Sequence, residues 1–271
     1  MVYDIRPLSF GEILDRSFRV YIDNFMLLFG ISALIWIPSG IIMASAGLVG
    51  NTAASVLNLL FLVVVAPLAQ AALTVGIAEA YLGRPIDITE AFQSVRNILL
   101  PIIGTYFLMG LVFAIPGVIL GVLTYLLSPK VFGVEIVLFV FVALYFAVGF
   151  ALIGPVMIVE RHFGFTALRR SRALVAGSWW LTLGILITAS LIGNVPAAAL
   201  RFVWGFIPII GVILTAATQA VSSAYGMIAA VIYYFDRRCR TEDFDLRLLA
   251  EQIRSQSGPA PATAPGSSSL A

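Results

Sequence analysis

The sequence contains six apolar stretches, each long enough to cross the hydrocarbon core of a lipid bilayer as a helix. Such a helix needs about 20 predominantly apolar residues. Only 11% of the 271 residues are charged, whereas a soluble domain typically has roughly 25%. The sequence therefore predicts an all-α, polytopic membrane protein with six transmembrane helices, at about residues 25–47, 54–81, 98–127, 133–159, 179–203 and 208–235.

The positions of the basic residues predict the orientation of these spans. Of the 16 basic residues, only Lys130 and Arg201 lie near the short connections within pairs of spans. The other fourteen lie in the N-terminal segment, in the two longer loops at 82–97 and 160–178, or in the C-terminal segment. Basic residues in short loops collect on the cytoplasmic side of a membrane. We therefore expect both termini to be cytoplasmic.

The polar segments before the first, third and fifth spans have the pattern of amphipathic helices that lie at the membrane surface. Ser9 and Glu12 form a capping-box pattern, which recurs 78 residues later as Asp87 and Glu90. The pair Ala91-Phe92 resembles Ala167-Leu168, 76 residues further on. We predict three parallel hairpin repeats, each preceded by a cytoplasmic interfacial amphipathic helix. The alternative is chance similarity among amphipathic helices of similar composition.

This repeat pattern predicts the domain organisation. Residues 1–255 form one six-helix membrane domain, and residues 256–271, rich in Gly, Pro, Ala and Ser, form a disordered cytoplasmic tail. Within the domain the expected units are repeats at about 1–81, 82–159 and 160–235, followed by a C-terminal amphipathic segment at 236–255.

The sequence lacks the residue patterns of known catalytic and metal sites. It contains no Gly-x-Ser-x-Gly, Walker, His-Glu-x-x-His or Cys-x-x-Cys motif. A single cysteine, Cys239, and a single histidine, His162, cannot form a disulfide or a Cys/His zinc site. Every acidic residue can be placed at the end of a span or in a loop. We therefore predict a protein that is not an enzyme and has no cofactor.

Three amides are the strongest candidates for a polar cavity within the membrane. Gln70 and Gln219 fall near the middle of spans two and six, and Asn194 lies in span five beside Pro196. One interpretation is a small cavity for a lipid headgroup or a solute. The alternative is hydrogen bonding between helices, which polar side chains commonly provide in membrane bundles.

The cytoplasmic face is expected to be rich in arginine. A basic residue near an anionic leaflet contributes on the order of 1 kcal/mol to membrane attraction. Much of this charge can instead reflect the ordinary bias that sets orientation. The candidate contacts with lipid headgroups are Arg16, Arg19, Arg96, Arg169, Arg170, Arg172, Arg237, Arg238 and Arg240.

Four segments of the sequence carry a resemblance to a known family. Residues 6–21 (RPLSFGEILDRSFRVY), with shorter matches at 155–160, 167–172 and 244–249, resemble the membrane domain attached to some bacterial glycerophosphoryl diester phosphodiesterases. In that family the hydrolytic residues lie in a separate soluble barrel domain. The resemblance implies a bacterial source and a stand-alone copy of the membrane part, without the catalytic domain.

Together these features predict a multi-pass protein of the bacterial inner membrane. We expect a scaffold or accessory subunit of a membrane or envelope process, and the alternative is a passive or partner-driven transporter or a lipid-handling protein. The expected partners are anionic lipids of the inner leaflet and membrane or cytoplasmic proteins. No nucleic-acid partner is expected, and the sequence does not indicate an oligomeric state.

Overall fold

The structure, a computed structural model, describes residues 6–46, 50–84, 86–127, 132–207 and 210–246. These residues form helices and contain no strand. In chain order the helices are α1 (Phe10–Asp23), α2 (Phe25–Ala44), α3 (Asn51–Tyr81), α4 (Ile88–Arg96), α5 (Leu99–Leu127), α6 (Phe132–Gly149), α7 (Ile153–Val159), α8 (Phe165–Val175), α9 (Trp179–Trp204) and α10 (Ile210–Glu242).

Six segments are long and apolar enough to cross a membrane, which confirms the prediction of a multi-pass helical protein. They are α2, α3, α5, α9, α10 and the combination of α6 with α7, which together form span four. Large apolar side chains on α3, α5 and α6 are exposed along much of these helices. An apolar surface of this extent is typical of contact with lipid and not with water.

The last helix is longer than the sequence suggested. Span six was expected to end near residue 235, but α10 continues to Glu242. Two ion pairs with i,i+4 spacing stabilise this extension, Arg240 with Asp236 and Arg238 with Glu242. The predicted C-terminal segment therefore begins inside α10. Its remainder after residue 246, the predicted tail at 256–271 and Lys130 lie outside the described residues.

Span four is interrupted between α6 and α7, where one continuous helix was expected. Pro155 has no N–H, and in a regular helix its ring would collide with the carbonyl of Ala151, one turn earlier. The hydroxyl of Ser171 satisfies the backbone at this break. It donates to the carbonyl of Gly149 at 2.9 Å and accepts from the N–H of Leu152 at 3.3 Å.

Helix α10 occupies the centre of the bundle. It packs against α2, α3 and α9, and also contacts α1, α7 and α8. Three consecutive aromatic residues of α10, Tyr233, Tyr234 and Phe235, are fully buried. The ring of Phe235 stacks on that of Tyr81 at the end of α3, with 5.5 Å between centroids.

Three short amphipathic helices, α1, α4 and α8, gather at one end of the bundle, which we call the basic end. Both predicted capping boxes are present, at the start of α1 and of α4. Hydrogen bonds from Ser9 and Arg6 lower the pKa of Glu12 to about 2, so this cap stays ionised. Helix α8 begins instead at Gly164, whose positive φ of 62° favours glycine. The N–H of Gly164 donates to the Oγ1 of Thr105 in α5 at 2.7 Å.

Candidate functional site

An ion-pair network at the basic end joins three helices around Glu160, the residue that follows α7. The carboxylate of Glu160 accepts from the Nε and Nη2 atoms of Arg170 at 2.7 and 3.0 Å, and from the hydroxyl of Tyr234 at 2.8 Å. Arg170 also pairs with Glu242, which Arg238 contacts at 3.1 Å. We call these five residues the Glu160 network. It fastens α7 and α8 to α10.

The two carboxylates and Arg170 of this network are held in their charged forms. Burial alone would raise the pKa of Glu160, but hydrogen bonds from Arg170 and Tyr234 and the charge of Arg238 keep it below its ordinary value. The pKa of Arg170 is raised, chiefly by its hydrogen bond to Glu160. A general acid or base needs a pKa near the working pH. The network therefore has the electrostatics of a structural cluster.

A second cluster fastens the segment before α1 to the last helix. The carboxylate of Asp236 is fully buried and accepts from the backbone N–H of Leu8 at 2.7 Å. Arg240 completes the cluster, because its Nε donates to Asp236 at 3.0 Å and its Nη2 donates to the carbonyl of Leu8 at 2.6 Å.

Three more of the candidate headgroup arginines also bind protein groups. Arg16 donates to the hydroxyl of Tyr81 at 3.0 Å, and Arg237 donates to the carbonyl of Leu174 at 2.9 Å. Arg19 pairs with the carboxylate four residues before it in α1. Six of the nine candidates thus donate hydrogen bonds of 3.1 Å or shorter to the protein itself, namely Arg16, Arg19, Arg170, Arg237, Arg238 and Arg240.

The other three candidates, Arg96, Arg169 and Arg172, are exposed. None of them forms an ion pair with a carboxylate in the part of the chain that the structure describes. Arg172 lies near the rings of Tyr145 and Phe146, at 5.9 Å from each centroid, and its Nη2 is 3.4 Å from the hydroxyl of Tyr145. These contacts leave most of its donors available to a ligand.

Arg169 and Arg172 line a groove between α6, α8 and the start of α9, which we call the α6/α8 groove. Its volume is about 750 Å³. Aromatic and aliphatic side chains form most of its remaining wall, including Val112 of α5 and Phe150 and Phe165. The groove runs past Gly149, where span four is interrupted. It is therefore basic on one side and apolar on the other.

Trp179, at the mouth of this groove, was not among the residues predicted from the sequence. Its indole nitrogen is buried and has no hydrogen-bond acceptor among the described residues. Its ring meets that of Trp180 edge-on, with 4.8 Å between centroids. A Trp-Trp pair just before an apolar run is a sequence signal of the membrane interface, where tryptophan is enriched.

The three amides predicted to form a polar cavity make hydrogen bonds to different partners in the fold. The Oε1 of Gln70 accepts from Tyr106 at 3.4 Å, joining α3 to α5. Gln219 accepts from Arg201, joining α10 to α9. Asn194 is exposed and donates to a carbonyl one turn earlier in α9. Among the described residues, the hydrogen bonds of these amides do not connect Gln70 to the other two. Those of Gln70 and Gln219 join neighbouring helices.

The described residues contain no group of three or more His, Cys, Asp or Glu side chains that could hold a metal ion. His162 is half-exposed, with its Nδ1 at 3.4 Å from the carboxylate of Glu160. Cys239 is buried. The described part of the basic end is thus built from ion pairs and hydrogen bonds, with the α6/α8 groove beside them.

A family model described as a domain of unknown function (DUF8558) matches residues 42–260. The chain belongs to the DUF8558 family. In this DUF8558 chain the matched residues include α3 to α10, and with them the whole Glu160 network and the α6/α8 groove. Helix α1 precedes the match. No curated protein and no solved structure matches the chain.

Proposed function

We propose that this chain is a non-enzymatic protein of the bacterial inner membrane that acts as a scaffold or accessory subunit of a membrane or envelope process. The observation that carries the proposal is the Glu160 network, which ties α8 to the ends of spans four and six. Helices that move in transport or gating come from parts of a protein with few stabilising contacts. A helix fixed in this way suits a rigid surface on which a partner docks.

The proposed orientation places the basic end in the cytoplasm, with both termini on that side. The distribution of basic residues supports it, because fourteen of 16 lie in the terminal segments and the two longer loops. The polar faces of α1, α4 and α8 would then offer docking surface to cytoplasmic proteins or to the cytoplasmic parts of membrane proteins.

The proposed architecture is three parallel hairpin repeats, each introduced by one of these amphipathic helices. Burial at matched positions supports it. At the offsets of 78 and 76 residues found in the sequence, each helix buries two residues, four positions apart, with 0% exposure. These pairs are Ile13 and Ser17, Ala91 and Val95, and Ala167 and Ser171.

A relation to the membrane domain of glycerophosphoryl diester phosphodiesterases remains part of the proposal. The N-terminal run that carries the resemblance supplies Leu8 to the cluster with Asp236, and Ile13 and Ser17 to the buried face of α1. These residues therefore contribute to the packing and hydrogen bonding of this fold. The proposed role needs no hydrolytic site.

Photo-crosslinking in native membranes tests the scaffold proposal. A crosslinking amino acid replaces Arg19, on the exposed face of α1, and in a matched control it replaces Val63, on an exposed apolar face of α3. We expect a stoichiometric protein adduct of defined mass from position 19 and none from position 63. Lipid mass spectrometry on the same purified sample reports any retained lipid or solute. The absence of a protein adduct at both positions would overturn the proposal, whether or not a lipid is retained.

A second candidate function is passive or partner-driven transport, or lipid handling, through the region of Asn194 and Gln219. One observation favours it. Asn194 and Arg201 line a mostly apolar groove of about 520 Å³ between α6 and α9, and Arg201 binds Gln219.

Replacement of Gln70, Asn194 and Gln219 by leucine separates the two functions. A transporter should lose substrate movement in vesicles while the variant still folds. A scaffold should change only in stability and keep its partner. Loss of the partner without a change in stability would contradict the scaffold function.

A further inference from the structure

Charge is distributed unevenly over α8, the helix that flanks the α6/α8 groove. Arg170 points into the Glu160 network, where two carboxylates compensate its charge. Arg169 and Arg172 point elsewhere, because successive helical residues are rotated by about 100°. Neither has a carboxylate partner among the described residues. The groove therefore has uncompensated positive charge beside it, which calls for an anionic ligand.

The remaining surface of the groove is suited to hydrocarbon. Val112 contributes from α5, Phe146 and Phe150 from span four, and Phe165 and Leu168 from α8. A small hydrated anion would gain nothing from this apolar wall. A phospholipid would use both parts, with its phosphate at the arginines and its acyl chains along the exposed apolar side of α6.

The buried indole N–H of Trp179 adds an independent indication of a ligand. A buried donor without an acceptor is unfavourable, and native proteins satisfy nearly all such groups. Trp179 lines the groove together with both arginines. A turn of the indole toward the groove would let a phosphate or glycerol oxygen there supply the acceptor that the described residues do not.

The backbone next to the groove has the irregular form found at ligand sites in membrane proteins. Non-helical backbone at membrane depth occurs where it is buried in protein or lines a cavity. Here the break after Gly149 is buried against α8 and borders the groove. A Cβ atom added at Gly149 would lie only 3.3 Å from the Cγ of Arg172. Because glycine has no side chain, the aliphatic part of Arg172 can pack closely against the backbone at the break.

From these four features we propose that the α6/α8 groove is a binding site for one anionic phospholipid. Arg169 and Arg172 contact its phosphate, and Trp179 donates to an oxygen of the same headgroup. The apolar wall and span four hold the acyl chains. The site is independent of any protein partner that docks at the basic end.

Lipid retention by the full chain tests the site. The protein is exchanged in detergent into mixtures of phosphatidylcholine with phosphatidylglycerol, and bound lipid is counted by native mass spectrometry. We expect one tightly retained phosphatidylglycerol per chain. The double variant R169Q/R172Q should bind it at least about tenfold more weakly, as expected for the loss of hydrogen bonds to a charged group.

The matched control is R19Q/R96Q, which removes the same charge from exposed positions outside the groove. It should retain phosphatidylglycerol as the unaltered protein does. If both double variants lose the lipid equally, the retention is general attraction to the basic end and the site is overturned. Displacement of the lipid by inorganic phosphate, at equal affinity, would overturn the choice of a lipid over a free anion.

A third variant, W179F, removes the buried donor and leaves a smaller aromatic ring in place of the indole. Weaker retention with unchanged helicity and elution volume is the expected result. Unchanged retention would remove Trp179 from the site. Because Arg169 and Arg172 are exposed, and phenylalanine keeps position 179 aromatic and apolar, these variants are expected to fold.

Discussion

The hydroxyl of Ser171 donates to the carbonyl of Gly149, 22 residues earlier in the chain, and accepts from the N–H of Leu152. A single side chain of α8 therefore satisfies two buried backbone groups at the break in span four. Replacement of Ser171 by alanine leaves both groups without this partner. An unsatisfied buried polar group costs roughly 1–3 kcal/mol, so we expect a loss of stability of at least about this size.

Denaturant unfolding in a fixed detergent measures this loss. Ser94 provides the matched control, because among the described residues its hydroxyl bonds only to the carbonyl of Ala91, within its own helix. The variant Ser94→Ala should unfold close to the unaltered protein. Equal effects of the two substitutions would show that Ser171 does not support the break.

The Glu160 network predicts a dependence of stability on acid. The pKa of Glu160 in the folded protein lies below its ordinary value of 4.5. Its contribution to stability is thus complete above about pH 4.5 and is lost as the pH falls through the folded pKa. Glu160→Gln should lower stability by about 1–3 kcal/mol at neutral pH. Melting temperatures of both proteins, measured from neutral pH downward, should converge in acid.

Glu79 is the matched control for this experiment. It lies at the end of span two, and its nearest cation, Arg84, is 3.7 Å away and exposed. An exposed ion pair of this kind contributes little. Glu79→Gln should therefore change stability only slightly at any pH. A difference between the Glu160 variant and the unaltered protein that stayed constant in acid would contradict the assigned ionisation.

Leu8, Asp236 and Arg240 form a cluster that holds the segment before α1 against α10. We predict that replacement of Asp236 alone makes this segment and α1 more mobile. In Asp236→Ala the N–H of Leu8 and the guanidinium of Arg240 both lose their carboxylate acceptor. We expect faster hydrogen exchange across residues 6–23. Asp15→Ala, which removes an exposed pair on α1, should leave exchange at Leu8 unchanged. If hydrogen exchange across residues 6–23 were as slow in the Asp236 variant as in the unaltered protein, Asp236 would not hold this segment in place.

The proposed orientation predicts where introduced thiols react with a membrane-impermeant reagent. In a Cys239→Ser background, Gln93→Cys on α4 should react only after cells are opened, and Thr52→Cys at the start of α3 should react in intact cells. Both positions are exposed. The reverse pattern would place the basic end outside the cell.

Much of the fold could be predicted because its determinants are local. Whether a segment can cross a bilayer depends on its own length and hydropathy, so the number of spans follows directly. The capping boxes at Ser9 and Asp87 are also local patterns. The end of α10 is different. An arginine-rich run of this kind is typical of a loop. In the fold these arginines stay helical, because Glu160 and the carbonyl of Leu174 bind them from other parts of the chain.

The candidate site shows the same division between local and tertiary information. The sequence identifies Arg169, Arg170 and Arg172 as one basic cluster, and composition cannot separate them. Only the packing of α8 directs Arg170 to Glu160 and leaves its two neighbours at the groove. The role of Trp179 depends in the same way on which acceptors the fold brings near its ring.

The bond between Leu8 and Asp236 joins residues 228 positions apart and so bears on the order in which the protein is made. A ribosome releases the first amphipathic helix long before the last span. During this interval α1 can lie on the membrane surface and contact earlier helices, such as α3 through Arg16 and Tyr81, but its N-terminal segment lacks the carboxylate of Asp236. Synthesis of Asp236 supplies the missing acceptor, so the segment before α1 can be fastened only after span six has been made. The N-terminal segment of a chain that stops before Asp236 therefore lacks this contact.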